Sequence, residues 1–227
     1  ADSDLAITAY HDTEDTKSAI YLRKAEGTES SHATPIDSGA VLGSIYFQGY
    51  DGNSFTTGAL ITAQADEAWV QDSSAGTHLK FWTTTSGSQT GVERMRIDQN
   101  GRIGIGTDDP NSLLHIKSSS ASKPVLTIEN TNDVANSPSI VLLKNPADDA
   151  EGDDDNIGTI RFKGQDSGDG DEEYATIYAT SADVTDGTED GSLFFRTVAA
   201  GTLANRLSIV GGNVGIGTSS PIKELDL

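Results

Sequence analysis

GRIGIGTDDP at residues 101–110 and GNVGIGTSSP at residues 212–221 are two occurrences of one glycine motif. Side chains of an extended strand alternate between two faces, so the aliphatic residues of the motif share one face and its glycines the other. Glycine adds no packing to a strand, so the motif suits a place where another backbone comes very close or where strands crowd an axis. We therefore expect axial packing in an oligomer by Ile103, Gly104, Ile105, Gly106, Val214, Gly215, Ile216 and Gly217.

The flanks of the motif predict a hairpin turn before it and a strand end within it. Asn-Gly at 100–101 and Gly-Gly at 211–212 suit a turn that needs positive φ. Pro110 and Pro221 end the strand, because proline cannot donate to a ladder. A dinucleotide fingerprint is disfavoured, since it needs a third glycine in register and a following helix. A calcium loop at 98–101 is disfavoured too, since no glutamate closes it.

The glycine motif closes a longer repeat, because the same landmarks precede both occurrences in the same order. The landmarks alternate apolar and polar residues, which is typical of half-buried strands, and turn-rich stretches separate them. The matched segments are 5–7 with 126–128, 19–22 with 139–142, 43–49 with 158–164, 59–63 with 175–179, 79–83 with 193–197, and 94–97 with 206–209. We expect about seven short strands in each repeat and no helix.

These landmarks predict an all-β chain of two tandem β-rich repeats, each of about 110 residues. The first is expected at 1–117 and the second at 118–227, with the junction in the serine-rich segment KSSSASK at 117–123. A unit of this size and composition leaves strand edges and a thin core exposed. Self-association on a rotational axis covers both, so we expect an oligomer.

The composition excludes several classes of partner. The chain has 35 acidic and 15 basic residues, a formal net charge of −20, and no cysteine. Nucleic acids and anionic membranes need basic surfaces, and no apolar run approaches the roughly 20 residues of a membrane helix. We expect no nucleic-acid partner and no membrane insertion. The first residues, ADSDLAITAY, contain neither Met nor a leader pattern, so the N-terminus is interpreted either as a processed end or as a fragment. The last residues, IKELDL, form an alternating apolar stretch with no polar tail, so we expect a longer parent chain.

Catalytic patterns are equally sparse. The four histidines form no H-x-x-x-H pair, and no G-x-S-x-G elbow is present. Paired carboxylates for glycoside hydrolysis stay open, since 35 acids allow many pairs. The long repeat differs from the short rungs of β-helical enzymes. We expect no enzyme activity and no cofactor other than the calcium considered next.

Two local features offer binding chemistry. The acidic stretch DSGDGDEE at 166–173 is interpreted either as a solvated loop or as a calcium site. Trp69, which has no counterpart in the second repeat, is interpreted either as an interface or core residue or as a platform for glycan contact. The expected calcium ligands are Asp166, Asp169, Asp171 and Glu173.

The motif also resembles a repeat of known proteins. The full pattern consists of Arg-x-x-Ile, a short turn, Gly-x-(Ile/Val)-Gly-Ile-Gly-Thr-x-x-Pro and then Leu-x-(Ile/Leu). It is similar to the repeat found in tail-fibre and other fibre proteins of tailed bacteriophages. The resemblance covers nearly the whole chain as two units. It implies an elongated, β-rich homotrimer, and it carries over no catalytic residue.

Sequence and resemblance together predict a structural virion fibre segment that acts as a rigid oligomeric spacer and contributes to host attachment. The expected location is an outward-facing appendage of the virion. The expected partners are other copies of the chain, other virion proteins, and a host surface glycan or receptor. Two alternatives remain: a carbohydrate- or receptor-binding module at a fibre tip, and an adhesin or filament subunit of a bacterium.

Overall fold

The computed structural model describes residues 20–28, 31–132, 137–146 and 152–226, and within them every regular element is a strand. The chain divides into two compact units, Ala1–Thr127 and Ile128–Leu227, called unit 1 and unit 2 below. Each unit contains one six-stranded sheet. This architecture confirms the predicted all-β class. The division falls after Thr127, beyond the serine-rich segment at 117–123 where the sequence places the junction.

Unit 1 is a meander that ends in a parallel pair. Two short strands, β1 (Glu26–Thr28) and β2 (Ser31–Thr34), pair with each other. The sheet then runs in chain order through β3 (Val41–Tyr50), β4 (Phe55–Ala65), β5 (Thr77–Thr84), β6 (Gly91–Ile97), β7 (Ile103–Ile105) and β8 (Leu114–Ile116). Neighbouring strands are antiparallel except β7 and β8, which are parallel.

Unit 2 repeats this sheet. Its strands are β9 (Asp155–Gln165), β10 (Asp171–Asp183), β11 (Asp190–Ala199), β12 (Thr202–Val210), β13 (Asn213–Ile216) and β14 (Leu225–Asp226). They also pair in chain order, and the last pair is again parallel. The four matched segments from 43–49 to 94–97, and their counterparts from 158–164 to 206–209, all lie within these strands.

Each sheet has one apolar face, on which directly paired residues form two rows across the strands. In unit 1 the rows are Ile45, Ile61, Phe81, Met95, Ile105 and Ile116, and Gly43, Ala63, Leu79, Ile97, Ile103 and Leu114. In unit 2 they are Ile160, Ile177, Phe195, Leu207 and Ile216, and Gly158, Ala179, Leu193, Ile209, Val214 and Leu225. These rows contain no charged residue, so the repeated sequence encodes one repeated apolar surface.

The opposite face of each sheet is the polar face. Its central row is Ser44, Thr62, Lys80, Arg96, Gly104 and His115 in unit 1, and Thr159, Tyr178, Phe194, Ser208, Gly215 and Asp226 in unit 2. Lys80 Nζ donates to Gln64 Oε1 at 2.6 Å, and Arg96 Nε donates to Glu93 Oε1 at 2.6 Å. These two contacts pair polar groups of this face within the chain, whereas His115 Nδ1 and Ser208 Oγ of the central row are buried without a hydrogen-bond partner among the described residues.

Some predicted strands are not strands. Residues 20–22, 126–128 and 139–142 lie outside any strand in the structure, and the segment at 5–7 lies outside the described residues. A strand needs a neighbour to accept its backbone hydrogen bonds. The described part of the chain provides no such neighbour for these three segments, although their apolar pattern is that of strands.

Candidate functional site

The glycine motif forms the crossover that joins the parallel strands β7 and β8 in unit 1, and β13 and β14 in unit 2. After β7 the chain turns back over the polar face, and Thr107 lies directly above Gly104. A Cβ atom at Gly104 would lie 2.5 Å from the Thr107 carbonyl oxygen. In unit 2 a Cβ atom at Gly215 would lie 2.9 Å from the Thr218 carbonyl oxygen. Because Gly104 and Gly215 have no side chain, the crossover of the same chain can pass close to the strand at these positions.

The second glycine of the motif has a backbone role. Gly106 and Gly217 have φ angles of +72° and +79°, which other residues adopt only with strain. Their amide groups donate to the carbonyl oxygens of Arg94 and Arg206, each at 3.0 Å. Glycine is therefore required where the chain leaves the strand, in both units.

The proline of the motif is a packing residue. Pro110 and Pro221 are both buried. Arg102 Nη1 donates to the Pro110 carbonyl oxygen at 2.9 Å, and Asn213 Nδ2 is 3.5 Å from that of Pro221. The sequence assigns proline only the role of ending the strand, and it does not indicate that the ring packs on the sheet.

These contacts divide the expected axial residues into two groups. Gly104, Gly106 and Gly215 would meet atoms of their own chain if they carried a Cβ atom, and axial packing by these glycines stays a prediction. Gly217 has no heavy atom near the position of a Cβ. The aliphatic members, which are Ile103, Ile105, Val214 and Ile216, all belong to the rows of the apolar face. For them axial packing stays a prediction.

The apolar face is largely uncovered within each unit. Among the described residues, Ile36 and Ala65 are the buried hydrophobic residues. By contrast, Phe47 is 53% exposed and Phe162 is 52% exposed. Ile105 and Ile216, from the glycine motif, are exposed as well. Apolar side chains in neighbouring strands thus form a contiguous exposed surface, which is typical of an interaction site.

The acidic turn between β9 and β10 uses its carboxylates locally. Asp166 Oδ1 accepts hydrogen bonds from the amides of Gly170 at 2.9 Å and Gly168 at 2.8 Å, and these bonds lower the pKa of Asp166. Asp171 pairs with Lys163, whereas Glu173 pairs with Arg161 and accepts from Thr176. Asp169 has a φ angle of +62°, and its amide donates to the Asp166 carbonyl oxygen at 3.2 Å.

This arrangement bears on the calcium hypothesis. Within the described ranges, no three His, Asp or Glu side chains are grouped so that they would hold a metal ion. Two of the four expected ligands are already engaged, since Asp166 accepts from backbone amides and Glu173 pairs with Arg161. Calcium binding by the turn stays a prediction, which titration calorimetry on EDTA-treated protein would test.

Trp69 lies in the loop between β4 and β5. Its amide donates to the Ile36 carbonyl oxygen at 2.8 Å, and its side chain is half-buried. Tyr50 and Phe55 stack edge to face, with ring centroids 5.6 Å apart, at the other end of the β3–β4 hairpin. These rings are therefore separated from Trp69 by the length of the hairpin, and glycan contact at Trp69 stays a prediction.

A groove on the polar face of unit 1 surrounds the other tryptophan. Tyr46, Leu60 and Trp82 are directly paired across β3, β4 and β5. The groove beside Trp82 has a volume of about 240 Å³, and Gln89 is among the residues that line it. A second groove of about 320 Å³ lies on the other side of Trp82, against Asp108. The sequence does not reveal this groove, because its residues meet only through strand register.

Comparisons with known proteins find likeness in fold alone. No family model matches the chain, and no curated protein matches it. The carboxy-terminal domain of the bacteriophage T5 L-shaped tail fibre matches with a TM-score of 0.72 at 12% identity, over 96% of this chain and 91% of that chain. The same domain with its intramolecular chaperone domain matches with a TM-score of 0.67 at 12% identity, over 98% of this chain and 63% of that one.

The fold is therefore that of a phage tail-fibre domain, and this chain spans less than two thirds of the longer structure. At this identity the likeness extends to architecture and carries no residue-level role. In the part of the chain that the structure describes, no helix is long and apolar enough to cross a membrane.

Proposed function

We propose that the chain is a non-enzymatic segment of a virion fibre, and that three copies associate through their apolar faces to form a rigid spacer. The observation that carries the proposal is the uncharged, exposed apolar face, which occurs in the same register in both units. The fold likeness to tail-fibre domains supports the fibre assignment. The expected location is an appendage of the virion, where other virion proteins hold the segment and it contributes to host attachment.

The exposed apolar side chains support extensive association, because obligate interfaces bury roughly 2,000–5,000 Å² or more and are more hydrophobic than other surfaces. Three sheets with apolar faces turned inward place Ile103, Ile105, Val214 and Ile216 at the axis and leave the polar faces in water.

The proposal is tested by light scattering after size exclusion, with two matched variants. Phe47 and Tyr46 are neighbours on β3, are similarly exposed at 53% and 58%, and lie on opposite faces. We expect the wild type to have three times the mass of 23.8 kDa. Phe47→Glu buries a charge at the interface and should yield monomers or aggregates, whereas Tyr46→Glu should keep the trimer. A monomeric wild type would overturn the proposal.

A second candidate function is favoured by the groove around Trp82. An aromatic ring in a groove lined by polar side chains is typical of a saccharide platform, and the groove lies on the face that stays in water in the proposed trimer. Binding of a neutral glycan should quench Trp82 fluorescence in the Trp69→Phe variant, and Trp82→Phe should abolish the signal. A glycan panel without response would count against this candidate.

The viral assignment itself is tested on particles. Mass spectrometry of purified virions should detect peptides of this chain. Their absence from particles, together with their presence on a bacterial surface, would instead favour the adhesin or filament alternative.

A further inference from the structure

The polar face of unit 2 carries a groove in the same register as the Trp82 groove of unit 1. In both units, directly paired residues cross four strands and line the groove. They are Tyr46, Leu60, Trp82 and Glu93 in unit 1, and Arg161, Thr176, Arg196 and Asn205 in unit 2. The repeat therefore places a groove at the same position twice, but two arginines stand in unit 2 where unit 1 has a tyrosine and a tryptophan.

The groove of unit 2, called the arginine groove below, consists of two adjoining depressions of about 430 Å³ each. Tyr178 and Arg196 line both depressions, so the groove is continuous around these two side chains. Hydroxyl and amide groups surround them, from Asn156, Thr159, Asn205 and Ser219. A cleft of this size that is lined by several convergent polar groups suits a small polar ligand.

The two guanidinium groups of the groove differ in their partners. Arg161 Nε lies 3.2 Å from Glu173 Oε2, so its charge is paired within the chain. Arg196 has no carboxylate partner among the described residues, and Nη2 donates to the Leu203 carbonyl oxygen at 3.3 Å. Arg196 Nε is buried without a hydrogen-bond partner in the described part of the chain. A half-buried charge of this kind lacks the acceptor that such groups need.

Aromatic packing holds Arg196 in place. Phe194 and Tyr178 are stacked, with ring centroids 4.8 Å apart, and the Arg196 guanidinium lies 5.8 Å from the centroid of the Tyr178 ring. Tyr178 Oη in turn donates to Asn205 Oδ1 at 3.4 Å. The guanidinium is therefore positioned before a ligand arrives, which lowers the entropic cost of binding.

We infer that the arginine groove binds a saccharide that carries a single carboxylate, such as a uronic acid. The carboxylate accepts from the guanidinium of Arg196, whose planar donors match the two carboxylate oxygens. The sugar hydroxyl groups bond to the amides and hydroxyls of the groove, among them Asn156 and Asn205. The ligand thus provides the acceptor that Arg196 lacks.

The charge of the chain excludes denser anions from the groove. Two guanidinium groups and the Glu173 carboxylate leave the groove one positive charge, whereas the whole chain has a net charge of −20. Nucleic acids and acidic peptides carry many negative charges and are repelled by this field. A sugar with one carboxylate meets the least repulsion and still satisfies Arg196.

The inference is independent of the proposed trimer, because every residue of the arginine groove lies in unit 2 of one chain. A monomeric protein that binds the acidic sugar would overturn the proposed function alone. A trimeric protein that does not bind it would overturn this inference alone.

Isothermal titration calorimetry on the full chain tests the inference, with methyl galacturonoside as the probe. Methyl galactoside is the matched ligand without the carboxylate, and sodium acetate is the carboxylate without the sugar. We expect the galacturonoside to bind more tightly than either. Equal affinity for methyl galactoside would overturn the role of Arg196. Equal affinity for acetate, or for inorganic phosphate, would show that the groove binds simple anions and would overturn the assignment to a saccharide.

Two variants that remove the same charge locate the site. Arg196→Gln should weaken binding of the galacturonoside about tenfold or more, since a hydrogen bond to a charged group is lost. Lys163→Gln is the control, because Lys163 is exposed on the same face of β9 and does not line the groove. Equal weakening by both variants would show an effect of net charge and overturn the site.

A third variant separates binding from folding. Arg196→Lys keeps the charge but loses the planar donors, so binding should be intermediate between the wild type and Arg196→Gln. Thermal midpoints of all variants, measured without ligand, show whether the fold is retained. Wild-type affinity in a folded Arg196→Gln protein would overturn the inference. Both tryptophans lie in unit 1, so binding should also leave their fluorescence unchanged.

Discussion

At the scale of the residue, glycine in the motif makes room within the chain. Gly104 sits beneath Thr107, and Gly215 sits beneath Thr218, each on the polar face of its sheet. The neighbouring aliphatic residues, such as Ile103 and Val214, point to the opposite, apolar face. The motif therefore contributes to both faces of the sheet. Its glycines leave space for the crossover on the polar face, and its aliphatic residues extend the two rows of the apolar face.

Replacement of Gly104 by alanine should destabilise the protein. The new Cβ would lie 2.5 Å from the Thr107 carbonyl oxygen, which is backbone and cannot move freely. Overpacking of this kind costs about 1–3 kcal/mol, so we expect a lower midpoint in guanidinium denaturation. Gly49→Ala is the control, because a Cβ at that strand position meets no atom within 4 Å. Equal midpoints for the two variants would refute the close-contact argument.

At the scale of the element, the turns are stabilised by local acceptors. The β9–β10 turn is closed by Asp166, whose carboxylate accepts from the amides of Gly170 and Gly168. Lys144 and the Gly152 amide engage Asp155 in the same way at the start of β9. Acidic residues in this chain therefore have two roles, since some close turns and the rest provide surface charge.

Acidification should remove the contribution of the β9–β10 turn. Hydrogen bonds from Gly170 and Gly168 lower the pKa of Asp166, so the folded state favours the ionised form. This stabilisation is present above the unfolded pKa of about 3.9 and is lost as pH falls through the lower folded pKa. The wild type should therefore exceed Asp166→Asn in unfolding midpoint at pH 6, and the difference should vanish near pH 2.

The control for charge alone is Glu172→Gln. Glu172 is exposed on β10, and its carboxylate has no hydrogen-bond partner among the described residues. Its neutralisation should not reproduce the pH-dependent difference. If both variants follow the same pH profile, the effect comes from net charge and not from the turn.

At the scale of the whole molecule, charge and apolar surface oppose each other. Each copy has a net charge of −20, so a trimer has three times that charge, −60. In the proposed trimer this charge would repel the copies from one another, whereas burial of the apolar faces would drive them together. Assembly is therefore expected to depend on ionic strength more than the fold of one sheet does.

Salt should stabilise the assembly. Raising sodium chloride from about 0.02 M to about 0.2 M shortens the screening length to less than 10 Å and weakens repulsion between copies. We expect a higher thermal midpoint and a lower dissociated fraction at low protein concentration. Glycerol at matched osmolality is the control, because it leaves charge unscreened. A midpoint that does not respond to salt would show that repulsion between copies is negligible.

Much of the architecture follows from the sequence alone. The alternation in segments such as 43–49 and 158–164 predicts strands, since period-two patterning directs apolar side chains to one face whatever the partner strand is. The repeat of these landmarks predicts two similar units. The strands predicted at 20–22 and 139–142 are absent from the structure. An apolar pattern indicates which side chains a segment can bury, but it does not indicate which strand would pair with that segment. The motif's membership of a fibre-protein repeat stays a prediction.

The tertiary structure alone decides what the motif and the site residues touch. Strand register unites Tyr46 with Trp82 and separates Trp69 from Tyr50, and register depends on turns and bulges that no single segment encodes. The crossover over Gly104 likewise depends on the parallel pairing of β7 with β8. The sequence therefore determines which surfaces are apolar, whereas the packing of distant strands determines which atoms meet.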